Sequence, residues 1–344
     1  MSPPPRSLVK PIRNPVAPLQ RRVFGSSVLP ARVFNALLAL CLLLSACRKE
    51  PLSETASAPA EAGIFIPDGA GDGCVWVVDS EQKGRLYLCG TIHILREGDY
   101  PLAPGYEAAY MFSEKLVLEL PPGEGSSPEL AKKMSQLGMF SADTSLEANV
   151  SAEAWTAVQA WATRRGLEAS SINRFRPWFV SILMTAKEYA VLGATPDLGV
   201  DKHFSDRAQA DGKPGEGLET TDFQLQMFAA LTNRQQQELL DQTLAELSTV
   251  AGEYEKMIQA WKQGDLSALH AMLFREAEKH PDLMNLFLTA RNLVWIDKLD
   301  AMLHRGEKAM VLVGAAHLTG DAGLIELLKK RGHRVRHYRE VQDF

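Results

Sequence analysis

The sequence predicts an α/β protein, α+β-like in its segregation, whose central sheet is built from strands near the two ends of the chain with a large helical insertion between them. Three observations predict it. Apolar runs of strand length stand at Leu86–Cys89 and Lys115–Leu120 on one side of the chain and at Ala309–Gly314 on the other. Between them, from Pro128 to Arg305, apolar residues recur at three- and four-residue spacing, the period of a helix with one buried face. Two of the strand-like runs, RLYLCGTIH and AMVLVGAAH, end in Gly-x-x-His. Strands at both ends and helices in the middle make one sheet with an inserted helical body the economical arrangement. The two Gly-x-x-His segments are consistent with an ancient duplication, but are too short to establish a repeat.

Taken in order, the first segment is not part of that fold. Arg6, Lys10, Arg13, Arg21, Arg22 and Arg32 precede the apolar run Val33–Leu44, and no acid occurs before Glu50. A resident membrane helix needs about 20 apolar residues. This shorter run fits the hydrophobic region of a secretory signal. Leu44-Ser45-Ala46-Cys47 resembles the bacterial lipobox, in which small residues precede a cysteine that is acylated and becomes the new N-terminus. The expected organisation is a lipoprotein signal peptide over 1–46, lipidation (palmitate-type acylation) at Cys47, a flexible Ala/Ser/Pro/Glu-rich tether over 47–72, and one domain over 73–344. The alternative is an ordinary signal peptide or an anchor with Cys47 incidental. Arg48, rather than Asp, follows the cysteine, so the lipobox resemblance implies an outer-membrane lipoprotein facing the periplasm. Loss of the six basic residues takes the net charge from −5 to about −11. An acidic body argues against nucleic acid as a partner. The composition, 46% hydrophobic and 23% charged, indicates a packed core.

CVWVVDSEQKGRLYLC reads as a hairpin turning at Ser80–Gly84, with Cys74 opposite Cys89, Trp76 opposite Tyr87 and Val78 opposite Arg85. Directly opposed positions lie within disulfide range, and the periplasm is oxidising, so a Cys74–Cys89 disulfide is expected. Two buried free thiols are the alternative. Pro101–Ser113 reads as a helix, and the strand Lys115–Leu120 is stopped by Pro121-Pro122. Ala152–Gly166, Phe179–Gly193, Arg234–Val250 and Leu283–Leu303 carry the helical period. Trp155, Trp161, Trp178, Trp261 and Trp295 are expected in the core of that region. The stretch Ala194–Gln224, rich in Gly, Pro, Asp and Thr, reads as loop-bearing. The strand Ala309–Gly314, a helix ending on Gly332 and a last strand, His333–Tyr338, complete the chain.

Glycine at a strand's carboxyl end lets the backbone turn sharply, and in open α/β sheets ligands sit beyond those ends. His93 and His317 therefore stand on strand tips. If their strands are neighbours, both imidazoles meet in one crevice, and Glu119 reaches the same edge. Two imidazoles and a carboxylate form a ligand set for zinc, manganese or iron that leaves positions open for water. A metal-bound water loses its proton near neutral pH and becomes a nucleophile. Each histidine also reads as a surface or capping residue, and Glu119 as an ordinary strand-end acid. His203, His270, His280, His304, His333 and His337 read as solvated, with His203 set apart because it lies in the unusual loop.

GTIHILREGDYPL, LVLELP, PDLGVDKHF, GLETTDFQL, ARNLVWIDKL and VLVGAAHLTGDAGLIELLKKRGHRV occur in that order. Together they resemble the TraB/GumN family, which includes the Tiki metalloproteases. The resemblance runs from Val75 to Tyr338. It implies an α/β core related to the erythromycin-esterase and haem-binding ChaN proteins. It also implies a divalent-metal-dependent protease, manganese or cobalt preferred and zinc possible, without an HExxH helix, which this chain also lacks. The family's motif histidines fall on His93 and His317, its acids on Glu119 and Glu219, and its Arg-Asn pair on Arg291 and Asn292. His93, His317 and Glu119 are expected as metal ligands. Glu119 and Glu219 share the parts of ligand and general base, and Arg291 stabilises an oxyanion, holds a carboxylate or forms a structural ion pair. Asp201 reads as a helix cap. The GKPGEG segment departs from the apolar strand expected before Glu219. The reading is a lipid-anchored periplasmic metal-dependent hydrolase, a peptidase acting on peptide or protein. The alternatives are a non-catalytic lipoprotein that captures haem, a metal or a peptide, or an accessory factor of polysaccharide export, the last suggested by the GumN name alone.

Overall fold

The computed structural model describes residues 72–125, 127–274 and 281–341. The signal peptide, the lipidation site Cys47, nearly all of the tether and His280 lie outside the described residues. Six strands are present: β1 Val75–Asp79, β2 Arg85–Thr91, β3 Lys115–Leu118, β4 Gly215–Gly217, β5 Lys308–Gly314 and β6 Arg334–His337. They form one mixed sheet in the order β4-β3-β5-β2-β1-β6. The four strands β4, β3, β5 and β2 are mutually parallel, whereas β1 runs antiparallel to both β2 and β6. Strands from both ends of the chain thus interleave, with β5 seated between β3 and β2.

The hairpin turns over Ser80–Gly84 as expected, but its register differs by one residue. Val75 pairs with Cys89, Val77 with Tyr87 and Asp79 with Arg85. A one-residue shift sends a side chain to the other face of the sheet. Cys74 accordingly lies across from Gly90, whose N–H donates to the Cys74 carbonyl at 2.7 Å. A Cβ at Gly90 would lie 2.6 Å from Cys74 Sγ, so glycine is needed for this approach. The expected disulfide is therefore corrected: Cys74 and Cys89 are free, fully buried thiols.

The helical body carries most of the remaining chain. The expected loop over 194–224 contains a helix, Val200–Asp211, and the start of another, Thr221–Ala229. The first buries only a narrow strip, chiefly Val200, Phe204 and Ala208, at four-residue spacing. Mostly polar and charged residues fill the other positions, which hid its period. Tyr106, Tyr110 and Phe204 stack where this helix meets Pro104–Phe112 beside the sheet. Of the five tryptophans expected in the core, Trp178, Trp261 and Trp295 join the main cluster, which also holds Trp76. Trp155 and Trp161 build a second cluster with Leu146, Val158, Val180, Met184 and Leu240. Among the described residues no helix is long and apolar enough to cross a membrane.

Candidate active site

The carboxyl ends of the four parallel strands carry the predicted residues in spatial order. Glu219 follows β4, Glu119 follows β3, His317 follows β5 and His93 follows β2. The GKPGEG segment does not displace Glu219. Gly215–Gly217 pairs as an edge strand with Leu116–Leu118, and Glu219 N–H donates to the Glu119 carbonyl at 2.9 Å.

Arg291 joins three of the four tips. Its Nη2 donates to Glu119 Oε2 at 2.5 Å and to Glu219 Oε1 at 2.6 Å, while Nε donates to Glu219 Oε2 at 3.0 Å. Its Nη1 donates to the Phe287 carbonyl at 3.0 Å and lies 3.1 Å from His317 Nε2. Arg291 opens the helix Ala290–His304, which continues from a π-helical turn, Asn285–Thr289. The guanidinium is 1% exposed, so the two carboxylates are the compensation that permits its burial. Glu119 Oε1 also accepts from Gly314 N–H at 2.8 Å, tying the acid to the next strand's tip. Burial pushes the Glu219 carboxyl up despite Arg291 and a hydrogen bond from Gln224.

His317 is fully buried and held at both nitrogens. Nδ1 lies 2.6 Å from Asn292 Oδ1, and Asn292 Nδ2 donates to the His317 and Ala322 carbonyls. The Trp295 ring packs on it at 4.4 Å. Burial first, then the charges of Arg291 and His93, drives its pKa well below the ordinary value. The ring is a neutral imidazole that donates from Nδ1 and accepts at Nε2.

His93 is the opposite case. Its Nδ1 lies 2.5 Å from Asp201 Oδ2, and Thr91 Oγ1 donates to Asp201 Oδ1 at 3.0 Å. Burial alone would lower its pKa. The field and hydrogen bond of Asp201, aided by Glu119 and opposed by Arg291, raise it instead to about 9. Nε2 is buried with no hydrogen-bond partner. Asp201 does lie in the first turn of its helix, but its carboxylate orients the imidazole rather than capping the helix. Gly199 makes this possible, since a Cβ there would sit 2.3 Å from the His93 carbonyl oxygen. What exposure the cluster keeps is at Asp201 and, to a small extent, at His93, Glu119 and Glu219.

All six predicted residues therefore converge, with Thr91 and Gln224 as partners that the sequence did not single out and with Asp201, read there as a helix cap, and Trp295, read there as core packing, as further partners. They do not fit a divalent cation on His93, His317 and Glu119 in this arrangement. Arg291 occupies the acceptor nitrogen of His317 and one oxygen of Glu119, and His317 Nε2 is 3.9 Å from Glu119 Oε1. Among the described residues, the group of three whose ligand atoms all lie within 4.8 Å of one another is Asp300, His304 and His333.

The family model described as TraB/PrgY/gumN family matches residues 74–337. The uncharacterized protein YbaP of Escherichia coli (strain K12) is 25% identical over 245 residues, covering 71% of this chain and 88% of the relative. YbaP of Shigella flexneri is 25% identical over 243 residues, covering 71% and 87%. No solved structure matches.

Proposed function

The chain belongs to the TraB/PrgY/gumN family, and from that premise and the geometry of the strand tips we propose that it is a hydrolase whose attacking water is activated by His93. One observation carries this reading: His93 Nε2 is buried and unpartnered, while Asp201 fixes the ring through Nδ1. A general base needs an orienting partner and an unspent nitrogen within reach of the water it deprotonates. His93 has both. Asp201 holds the second ring proton up to about 9, so the ring is mostly cationic at neutral pH, Nε2 accepts only in the deprotonated form, and turnover is expected to rise with pH toward that value. Arg291 spends its N–H donors on Glu119, Glu219, His317 and the Phe287 carbonyl, so its part is to hold the two acids at the strand tips rather than to meet a substrate oxygen directly. His317 and Asn292 hold Arg291 and the β5 tip in place.

Peptides or proteins are the proposed substrates, at the periplasmic face of an outer membrane to which Cys47 would tether the chain. A core related to the erythromycin-esterase and ChaN folds belongs to the same proposal. Manganese, cobalt or zinc at His93, His317 and Glu119, which the family resemblance implies, requires Arg291 to leave its present contacts. No step of the proposed reaction is routed through a metal.

The test is turnover of a fluorogenic peptide library by purified protein, before and after chelator treatment. Wild type is expected to cleave in both conditions. His93→Ala is expected to lose at least about 100-fold in rate while keeping its far-ultraviolet spectrum. Equal turnover by the variant would end the role of His93. Complete loss on chelation, restored by manganese, would return the site to metal chemistry.

A further inference from the structure

We infer that Asp300, His304 and His333 form a separate binding site for a late first-row divalent cation of the zinc type. The three come from two elements that meet at the surface. Asp300 and His304 are four residues apart on the last turn of Ala290–His304, so they share one face. His333 follows Gly332, whose φ of +90° ends the helix Leu324–Lys330 and turns the chain into β6.

The donor atoms already face one another. Asp300 Oδ1 lies 2.6 Å from His333 Nε2 and 3.4 Å from His304 Nδ1. Tetrahedral zinc with bonds of about 2.0–2.1 Å holds its ligand atoms about 3.3 Å apart. The Asp300–His304 spacing needs no change, although His304 Nδ1 must give up its proton and its 2.8 Å contact with the Asp300 carbonyl, and the Asp300–His333 contact needs to open by less than about 1 Å. The other oxygen, Oδ2, accepts from Arg331 Nη1 at 2.9 Å, which orients the carboxylate and leaves Oδ1 for the ion. Arg331 is itself offset by Asp297, to which it also donates. A carboxylate whose second oxygen is held by a neighbour is the arrangement found around metal ligands.

Two further features favour a cation here. The site sits at the C-terminal end of a helix, where the backbone dipole is negative. Side-chain exposure rises from 6% at His333 through 18% at Asp300 to 55% at His304, so an ion can enter without opening the fold. Two imidazoles and one carboxylate suit zinc, nickel or copper and disfavour magnesium and calcium. Water would complete the shell. Asp300 is nine residues from Arg291 on the same helix, about 14 Å along its axis. The ion would therefore fasten the far end of that helix to the Gly332 turn without touching the strand tips.

The experiment is titration of the purified protein with zinc chloride, followed by calorimetry and by metal analysis after desalting. Wild type and His93→Ala are each expected to retain one zinc per chain. His304→Ala and His333→Ala are expected to bind about tenfold or more weakly. Zinc is expected to raise the melting temperature of wild type and not that of His304→Ala. Because His304 is exposed, its variant decides the matter even if His333→Ala misfolds. The inference is overturned if wild type retains no zinc, if His304→Ala binds as wild type does, or if His93→Ala alone loses the ion.

Discussion

His93 and His317 occupy matching positions after adjacent parallel strands, yet their surroundings push them in opposite directions. Asp201 holds one as a cation, and Arg291 with burial holds the other neutral. Asp201→Asn removes the field that raises His93. Carbon- or nitrogen-detected NMR of the imidazole is expected to show the His93 pKa fall from about 9 toward or below its ordinary 6.5. An unchanged titration would separate the two residues. Arg291 carries a different burden, since its removal leaves Glu119 and Glu219 buried without a counter-charge. Breaking a buried ion pair costs about 3–5 kcal/mol. Arg291→Ala is expected to lower the unfolding free energy by that amount, read from urea denaturation, and a loss below about 1 kcal/mol would mean that the carboxylates find water instead.

At the scale of elements, Pro196–Gly199 and the start of Val200–Asp211 form the wall that keeps His93 in place. Val200 N–H donates to the Ile92 carbonyl at 3.1 Å, and Leu95 and Thr195 exchange backbone hydrogen bonds. Gly199→Ala forces a methyl group into the His93 carbonyl. The expected cost is about 1–3 kcal/mol, read by thermal melting, with a weakened Asp201 contact seen in the same NMR signal. This wall also marks where sequence reading stopped. The strands ending in Gly-x-x-His, and Glu119 after β3, were legible because each is local to a strand end, whereas Glu219 came only from the family resemblance because GKPGEG does not read as a strand. The meeting of Asp201 with His93 was not, because 108 residues separate them and a first-turn aspartate is equally explained as a helix cap. The hairpin failed by one residue because a five-residue turn leaves register to the pairing itself. Ser80 N–H donates to the Gly84 carbonyl and Asp79 faces Arg85. His333 looked solvated because only the Gly332 turn brings it to Asp300, whereas His304 is as exposed as it read.

For the whole molecule, the raised His93 pKa links folding to pH. A group whose pKa is higher in the folded state stabilises fully below its unfolded value, near 6.5, and loses that contribution as pH rises through about 9. Stability is therefore expected to decline between those values by up to about 3 kcal/mol, measured as urea midpoints in a pH series. Asp201→Asn is expected to flatten the decline, and an equal slope in the variant would assign it to other groups. The second core around Trp155 and Trp161 contains none of the strand-tip residues, so the decline belongs to the sheet.

The placement of β5 has a consequence for how the protein is made. It fills the gap between β2 and β3, although both precede it by most of the chain's length. Until the ribosome has delivered the segment after Lys308, each of those two strands has an uncovered edge, the kind that recruits stray partners. The nascent polypeptide must be shielded through that interval, and the four-tip constellation cannot be completed before it ends.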